Sequence, residues 1–262
     1  MRLVTWNINS VRLRQGLVLR LIESHAPDVI CLQETKCPDE HFPFDVFREA
    51  GYAHIHVQGM KSYNGQAILS KIPFEDTQIH HRVGREDCRH IAVRVRGIDV
   101  HNLYIPAGGD EPDVEVNDKF AHKLDFVDEM TRWFSDNYSA DQKVITVGDF
   151  NIAPYEHDVW SHKQLLKVVS HTPDETERLA KMLGALDFVD VAREFVPMED
   201  KAYTWWSYRN KDWSKSNRGR RLDHVWVTAP LKGALKAYDV HSDARSWEKP
   251  SDHAPVIVDF DL

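Results

Sequence analysis

The sequence predicts an α/β fold whose sheets are mixed or largely antiparallel and are covered by helices. Short β-branched runs alternate with amphipathic helical stretches along the chain. The run 90–105 has the pattern of two strands joined at Gly97, which indicates a hairpin and not a strand–helix–strand crossover. No internal repeat at a solenoid period is present.

The individual elements follow from hydrophobic periodicity and from start and stop residues. Strands are predicted at 3–8, 29–33, 66–70, 90–96, 100–105, 144–147, 222–227 and 256–260. Helices are predicted at 15–24, 116–134 and 174–183, and Thr172-Pro173 is a typical start signal for the last of them. No proline-rich or glycine/serine-rich linker divides the chain, so we expect one catalytic domain that spans residues 1–262.

Composition limits the class of protein. Hydrophobic residues make up 42% of the 262 residues, enough for one large core. The chain starts directly in a strand pattern, without a basic and apolar leader and without a long uncharged stretch, so we expect a cytoplasmic protein that has no membrane contact. The three cysteines form no CxxC pair, and they therefore indicate neither a disulfide framework nor a zinc site.

The charge balance is acidic overall but basic in one segment. The 33 basic and 41 acidic residues give a net charge of −8, which by itself argues against a nucleic-acid partner. The segment 209–221, with Trp213 inside it, reverses this balance. Such a run is typical either of a solvated loop or of a stripe that follows a phosphate backbone, and its proximity to the motifs below favours DNA. Its basic residues are Arg209, Lys211, Lys215, Arg218, Arg220 and Arg221, against the single acid Asp212.

Polar residues of the kind that bind cations stand at the ends of five predicted strands. One such residue is commonplace in a turn or a cap, but five such ends together are not explained by core packing. Buried carboxylates and amides are costly without a partner, so the set predicts a site where a divalent cation balances the charge. The segments are Asn7 with Asn9, 33–36, 148–151, 221–223 and 251–253.

The types of ligand narrow the choice of metal. Carboxylate and amide oxygens, with no cysteine and few histidines, suit magnesium or manganese. Magnesium commonly combines one or two carboxylates with substrate phosphate, which favours phosphoryl chemistry. Hydrolysis of a phosphodiester needs an activated water, charge stabilisation on the phosphoryl oxygens and help for the departing oxygen, and the polar cluster contains groups for each role.

Seven phrases follow one another in order along almost the whole chain. They are WNIN at 6–9, QETK at 33–36, NLYIP at 102–106, GDFNIAP at 148–154, TWWSYR at 204–209, NRGRRLD at 217–223 and EKPSDHAP at 248–255. Together they resemble the motifs of exonuclease III and related apurinic/apyrimidinic (AP) endonucleases. The GDxN and SDH phrases are shared with the wider endonuclease/exonuclease/phosphatase superfamily, whereas TWW and NRGxRLD are more specific to its DNA-repair branch.

The resemblance implies a fold and an activity. The fold would be a four-layered α/β sandwich, two mixed β-sheets packed face to face with helices on both outer sides and an active site at one sheet edge. The activity would be that of an AP endonuclease and 3′-to-5′ exodeoxyribonuclease that also cleans 3′ ends. Its substrate would be double-stranded DNA with abasic sites or 3′ ends, its cofactor Mg²⁺ with Mn²⁺ able to substitute, and we expect a monomer.

The resemblance also implies roles for the metal side of the site. Glu34 would be the principal magnesium ligand, with Asp252 and Asn9 as direct or water-mediated partners. Tyr104 would lie close to the phosphate or the leaving oxygen.

On the catalytic side, Asp149 would orient or deprotonate the attacking water, Asn7 would position Asp149, and Asn151 would donate a hydrogen bond near the phosphate. Asp223 would hold His253, whose imidazole would contact the phosphate. Either Asp149 or the Asp223–His253 pair can act as the general base in a metal-bridged site, and we favour Asp149.

The substrate side rests on aromatic and basic residues. Alternation along a strand puts Trp205 and Trp206 on opposite faces, so we expect Trp206 in the core and Trp205 towards the substrate. By the resemblance, Trp205 and Leu222 would form the walls of a pocket for a flipped abasic sugar. Further positions that match the family close to DNA or the site are Lys36, Arg89 and Lys119, although each is also compatible with simple solvation.

Two positions depart from the family pattern. Ala107 stands where an amide residue often follows the Tyr-x-Pro phrase, so one phosphate hydrogen bond is expected to be missing. Arg220 replaces an apolar or aromatic pocket residue and has the reach to contact a phosphate.

Two other functions remain open from the sequence. One is a phosphodiesterase of the same superfamily that acts on lipid or inositol phosphates, against which the basic segment and Trp205 argue. The other is a non-catalytic regulator that binds nucleic acid on the same scaffold, which should have lost ligands such as Glu34 and Asp252.

Overall fold

The computed structural model describes residues 1–209 and 212–262. The strands are β1 (Arg2–Asn7), β2 (Val29–Gln33), β3 (His54–Gln58), β4 (Gln66–Ser70), β5 (Asp76–Ile79), β6 (His90–Val95), β7 (Ile98–Tyr104), β8 (Val144–Asp149), β9 (Val189–Asp190), β10 (Trp205–Trp206), β11 (Gly219–Arg220), β12 (Asp223–Val227), β13 (Leu235–Val240) and β14 (Val256–Phe260). The helices are α1 (Val11–His25), α2 (Phe44–Glu49), α3 (Asp118–Asn137), α4 (His162–Leu165), α5 (Pro173–Gly184), α6 (Val191–Phe195), α7 (Trp213–Ser216) and α8 (Ala229–Lys232). Short 3₁₀ turns lie at Asp39–His41, Glu156–Asp158 and Ser242–Ser246. Among the described residues, no helix combines the length and the apolar character needed to cross a bilayer.

Two six-stranded mixed sheets form the centre of the molecule. The first has the order β13-β14-β1-β2-β4-β3 and the second the order β5-β6-β7-β8-β12-β9. In each sheet two central strands are parallel, β1 with β2 and β7 with β8, and the other neighbours are antiparallel. Parallel neighbours end at the same edge of a sheet, which brings the residues that follow them together.

Apolar alternation along the strands creates the layers. Leu3 of β1 and Val100 of β7 pack in the core between the two sheets. The next residue of β1, Val4, packs on the outer face with Val18 of α1. On the outer face of the second sheet, Met130 of α3 packs in a core that includes residues of α5. The order is therefore helix, sheet, sheet, helix, and the predicted four-layered α/β sandwich is confirmed.

The eight predicted strands and three predicted helices are all present, and strands β2, β4 and β14 have the predicted bounds. The unpredicted strands of the large sheets are β3, β5, β9 and β13, which are the four edge strands. An edge strand pairs on one side only and buries less, so its sequence alternates weakly, as in the mostly exposed β5.

The hairpin predicted at Gly97 is confirmed. Strands β6 and β7 pair antiparallel up to Val95 and Ile98. The two turn residues, Arg96 and Gly97, have φ of 50° and 68°, as a tight hairpin turn requires.

Candidate active site

Sheet register brings the predicted polar residues to one edge of the sandwich. Asn7, the last residue of β1, lies beside Gln33 of β2. Tyr104, the last residue of β7, lies beside Asp149 at the end of β8. Asp223, the first residue of β12, faces Asp149 across the antiparallel ladder. The cluster at this edge therefore follows from how the strands pair.

Several residues at this edge have a left-handed backbone. Asn9, Glu34 and Asn151, each one or two residues past a strand, have φ of 48°, 52° and 53°. Asparagine tolerates this region, but for a glutamate it costs roughly 1–2 kcal/mol, a strain that clusters at functional sites. Gly148 has φ of 137°, and a Cβ there would lie 1.9 Å from the Leu103 carbonyl oxygen, so only glycine fits before the aspartate of the GDxN phrase.

Glu34 is held by three donors. Its Oε1 accepts hydrogen bonds from Asn7 Nδ2 and from Tyr104 Oη, both at 2.8 Å. Its Oε2 lies 2.7 Å from Lys36 Nζ. Burial alone would raise the pKa of Glu34, but the charge of Lys36 and the hydrogen bonds hold that pKa below its usual range. Burial and the adjacent Glu34 raise the pKa of Tyr104 well above its ordinary value, so the phenol remains a donor at neutral pH.

The Asp252 carboxylate is held by two donors. Its Oδ1 accepts a hydrogen bond from Asn9 Nδ2 at 3.1 Å and its Oδ2 one from Trp205 Nε1 at 3.0 Å. Lys36 Nζ donates to Asn9 Oδ1 at 2.7 Å. Lys36 therefore joins Glu34 and Asn9, and the amide of Asn9 joins Asp252 to them. Carboxylate and amide oxygens are the donor set that fits a hard divalent cation.

Asp149 lies at the centre of the second half of the site. Its Oδ2 accepts hydrogen bonds from Asn7 Nδ2 at 2.9 Å and from Asn151 Nδ2 at 3.1 Å, and its Oδ1 accepts one from the Asn151 N–H at 2.9 Å. His253 Nε2 is 3.7 Å from the same Oδ2, and His253 Nδ1 is 2.8 Å from Asp223 Oδ2. One possible ligand atom each from Asp149, Asp223 and His253 lies within 4.8 Å of the others.

These buried charged groups shift one another's pKa values. Burial raises the pKa of Asp149 to about 7, Asp223 acts in the same direction, and His253 opposes the rise. Burial by itself would lower the pKa of His253, but Asp223 and Asp149 raise it to about 10. The imidazole is therefore cationic at neutral pH, while Asp149 is a carboxyl group that can exchange a proton there.

The substrate side brings together the residues predicted for it. Trp206 is buried, with 4% of its surface exposed, while Trp205 is half-buried and lies next to Asp252. Leu222 is buried in a small apolar cluster against which Trp205 packs. The guanidinium of Arg220 lies 5.2 Å from the centre of the Trp205 ring. Arg220, which departs from the family pattern, is therefore in contact with the aromatic wall formed by Trp205.

Only part of the basic segment 209–221 lies at the protein surface. Arg209 and Arg218 line a cavity of about 790 Å³ together with Trp205. Lys215 is exposed on the short helix α7, and Lys211 lies outside the described residues.

Arg221 does not belong to that surface, and its assignment to a phosphate-binding stripe is wrong. Its side chain is fully buried, with ion pairs to Asp158 and to Asp190, both at 2.8 Å. The reason is that two buried carboxylates would be strongly destabilising without this cation, whereas a solvated phosphate is not.

Arg89 and Lys119 flank the other side of the site. They line a second cavity, of about 560 Å³, that also includes Tyr104. The guanidinium of Arg89 lies 4.7 Å from the centre of the Tyr104 ring and 2.5 Å from Asp87. These contacts hold Arg89 beside the tyrosine that binds Glu34.

Two groups that support the site were not predicted from the sequence. Lys123 of α3 is fully buried behind Asn151, to whose carbonyl it donates at 2.8 Å, and forms an ion pair with Glu175 at 2.5 Å. Thr204 Oγ1 accepts from the N–H groups of Leu222 and Asp223, both at 3.0 Å. A lysine on the apolar face of a helix is the signal that could have indicated the first of these.

The comparisons with known proteins agree with this arrangement. Residues 4–253 match the model of the endonuclease/exonuclease/phosphatase family. Exodeoxyribonuclease III of Haemophilus influenzae is 28% identical over 99% of this chain and its own full length. An AP endonuclease from Archaeoglobus fulgidus is 32% identical with a TM-score of 0.93, and the Neisseria 3′ phosphatase NExo, solved with a product DNA hairpin, is 30% identical with a TM-score of 0.92; both cover 100% of each chain. This chain belongs to the endonuclease/exonuclease/phosphatase family.

Proposed function

We propose that this chain is a metal-dependent DNA repair nuclease that hydrolyses the DNA backbone at abasic sites and at 3′ termini. The observation that carries the proposal is the position of Asp149. Its carboxylate lies between the amides of Asn7 and Asn151 and the imidazole of His253, and Asn7 bonds it to the Glu34 half of the site. The proposed enzyme acts as a monomer in the cytoplasm.

The proposed metal site consists of Glu34, Asp252 and Asn9. Their carboxylate and amide oxygens suit Mg²⁺, with Mn²⁺ able to substitute. A cation held there would supply charge neutralisation for the oxygens of the scissile phosphate. Lys36 bridges Glu34 and Asn9 at 2.7 Å from each, so its ammonium already provides one positive charge at this place.

Asp149 is the proposed general base. Three hydrogen bonds fix its carboxylate, two on one oxygen and one on the other. Burial raises its pKa to about 7, which matches the value expected of a general base that works near neutral pH, where about half of the carboxyl groups are ionised and able to accept a proton. The alternative base, the His253–Asp223 pair, has a histidine whose pKa is raised to about 10 by the acids beside it, which leaves no free nitrogen to accept a proton at neutral pH.

The same protonation states assign the other roles. A cationic His253 is a donor that would contact a non-bridging phosphate oxygen and stabilise charge in the transition state. Tyr104 retains its proton and would donate near the phosphate or the leaving oxygen. Asp223 holds the imidazole at 2.8 Å in the orientation this requires.

DNA is the proposed substrate because of what lies beside the catalytic carboxylate. The cavity next to Trp205 carries three arginines and two tryptophans, which suit a phosphate backbone and stacked or displaced nucleotides. The structural relatives include an AP endonuclease and a 3′ phosphatase with product DNA. A phosphodiesterase for lipid or inositol phosphates does not need tryptophans placed to stack against nucleotides.

The test is a substrate panel with the purified protein. Matched duplexes with and without one abasic site, a duplex with a recessed 3′ end, and an inositol phosphate are compared in magnesium and in chelator. We expect cleavage of DNA in magnesium, none in chelator, and a higher magnesium requirement for Glu34→Gln. Full turnover in chelator contradicts the metal mechanism, binding without cleavage indicates a regulator, and preference for the inositol phosphate indicates the other branch of the superfamily.

A further inference from the structure

Two short segments outside the strands carry Asn9 and Asp252, which are two of the three proposed metal ligands. Asn9 lies just after β1, and Asp252 lies in the loop just before β14. The Asn9 side chain donates to Asp252 Oδ1 at 3.1 Å, which joins the two segments. Each segment has a left-handed backbone position, at Asn9 with φ of 48° and at Lys249 with φ of 50°. Backbone of this kind keeps its conformation only when the surrounding structure holds it.

Arg14 of α1 binds both segments. Its side chain is buried, with 9% of the residue exposed. Nε donates to the Lys249 carbonyl at 2.9 Å, and Nη1 donates to the Asn9 carbonyl. Nη2 donates to Tyr208 Oη at 3.1 Å, and this hydroxyl in turn donates to the Pro250 carbonyl at 2.8 Å. One planar guanidinium therefore fixes the two segments relative to each other.

These contacts distinguish Arg14 from an arginine that stabilises the fold through ion pairs. A buried charge is costly unless it is paired. Arg221 is paired in this way with Asp158 and Asp190. The acceptors of Arg14 are carbonyl and hydroxyl oxygens, and within residues 1–209 and 212–262 no carboxylate forms an ion pair with it. A buried cation that binds the backbone of two ligand-bearing segments is suited to position them and not to neutralise an acid.

We propose that Arg14 is a positioning residue of the metal site, which orders Asn9 and Asp252 so that both can bind one divalent cation. This role rests on the proposed metal-dependent function. Arg14 itself contacts neither the cation nor the substrate, and it acts through the backbone of the two segments. Removal of a group that orients metal ligands through hydrogen bonds typically weakens metal binding by about 10- to 100-fold.

Two effects of Arg14 on a bound cation have opposite signs. Its positive charge repels the cation, so removal of the charge alone would strengthen metal binding. Its hydrogen bonds order the ligands, so removal of these contacts would weaken metal binding. Arg14→Lys keeps the charge but loses the planar fork that reaches several acceptors at once. Arg14→Gln loses both the charge and the fork.

The experiment measures the binding of Mn²⁺ to the protein without DNA, from the electron paramagnetic resonance signal of the free ion. Wild type, Arg14→Lys and Arg14→Gln are titrated well below their melting temperatures. We expect both variants to bind Mn²⁺ roughly tenfold more weakly than wild type, because the order of the ligands outweighs the repulsion. If Arg14→Gln binds Mn²⁺ more tightly and Arg14→Lys matches wild type, the charge dominates and the positioning role is excluded.

Hydrogen exchange reports on the two segments themselves. In the absence of metal, backbone amides in peptides that cover 7–10 and 248–253 should exchange faster in both Arg14 variants than in wild type. The control is Arg2→Gln. Arg2 also donates to a backbone carbonyl, that of His25 at 2.6 Å, and pairs with Asp259 at 2.7 Å, but it lies at the opposite end of β1. The control should lower stability without a change in Mn²⁺ affinity or in the exchange of either segment.

Two results would refute the inference: Arg14 variants that bind Mn²⁺ as wild type does, or an Arg2→Gln variant that shifts the affinity by the same factor. Arg14→Lys keeps the test valid if Arg14→Gln does not fold. A wild type that binds no Mn²⁺ would refute the proposed metal site together with the inference. A wild type that binds Mn²⁺ and cleaves DNA, with Arg14 variants of full affinity, would refute the inference alone.

Discussion

The buried pair Lys123–Glu175 allows a quantitative test of how the site is supported. Lys123 has three N–H donors and three acceptors: Glu175 Oε1 at 2.5 Å, the Asn151 carbonyl at 2.8 Å and the Ala107 carbonyl at 3.2 Å. Lys123→Met keeps an unbranched side chain that is one atom shorter and removes all three contacts. Glu175 then remains buried, held by the N–H and hydroxyl of Thr172 and the N–H of Ser170.

The magnitude follows from these contacts. An uncompensated partner of a buried ion pair costs about 3–5 kcal/mol, and we expect the lower end here because the carboxylate keeps its backbone donors. Each carbonyl that loses its donor adds about 1 kcal/mol. The variant should lose roughly 5 kcal/mol of unfolding free energy, which is a large part of the typical total and corresponds to a melting temperature lower by about 10–20 °C.

A double-mutant cycle measures the pair itself. Urea unfolding of wild type, Lys123→Met, Glu175→Gln and the double variant should give a coupling of about 2 kcal/mol or more, because the second change removes the stranded charge. Lys232→Met is the matched control, since Lys232 pairs with Glu194 at 2.9 Å on the surface and should change stability by less than about 1 kcal/mol. Additive single effects would refute the account of a buried ion pair. If kcat of Lys123→Met is reduced at temperatures well below the melting temperature of the variant, the reduction would indicate that Asn151 has moved.

Further predictions concern proton transfer, salt and acid. Asp149→Asn keeps shape but removes basicity, so turnover should fall by roughly 10²-fold or more while duplex binding persists; unchanged turnover would exclude this base. Arg218→Gln should reduce the slope of log affinity against log salt by about 0.9 if Arg218 contacts a phosphate, and a slope equal to wild type would place the DNA elsewhere. Burial lowers the pKa of His101 to about 3 and of His80 to about 4, and lowers that of His90 well below its usual value. Below about pH 6.5 these histidines bind protons in the unfolded chain but not in the folded chain, so the free energy of unfolding should decrease as the pH is lowered. The decrease should be less steep in His101→Gln, and equal slopes for the two proteins would contradict this account. The groups that contact these histidines are Arg82, Trp133 and Tyr138, and Glu129 forms an ion pair with Arg82.

The sequence predicted the parts of the fold that are buried on both faces. Strands such as β2, with five fully buried residues, give continuous apolar runs with clear limits. The short pair β10–β11 was not predicted, although it places Trp205 beside Arg220 in register. Two-residue strands carry too little periodicity to be recognised, and they form here because the chain around them is already fixed by the larger sheets.

The candidate site could be predicted as a set of residues but not as a set of contacts. The strand-end pattern indicated which side chains meet, and the structure links Glu34 and Asp149 through the amide of Asn7, which donates a hydrogen bond to each. No sequence pattern indicated that Lys36 would bridge two predicted metal ligands. Lys36 also has a left-handed backbone, with φ of 53°, which only the folded chain reveals.

The basic segment shows why charge counts alone mislead. Arg220 and Arg221 are neighbours, and alternation turns them to opposite sides: Arg221 neutralises the buried acids Asp158 and Asp190, whereas Arg220 lines the cavity beside Trp205. Arg221 contributes to stability and contributes nothing to the electrostatic field outside the protein. Arg220 contributes to that field at a wall of low dielectric, where a charge acts more strongly than on an open surface. A protein with a net charge of −8 can therefore attract a polyanion at one face, because association responds to the local potential of the cavity and not to the sum over the chain.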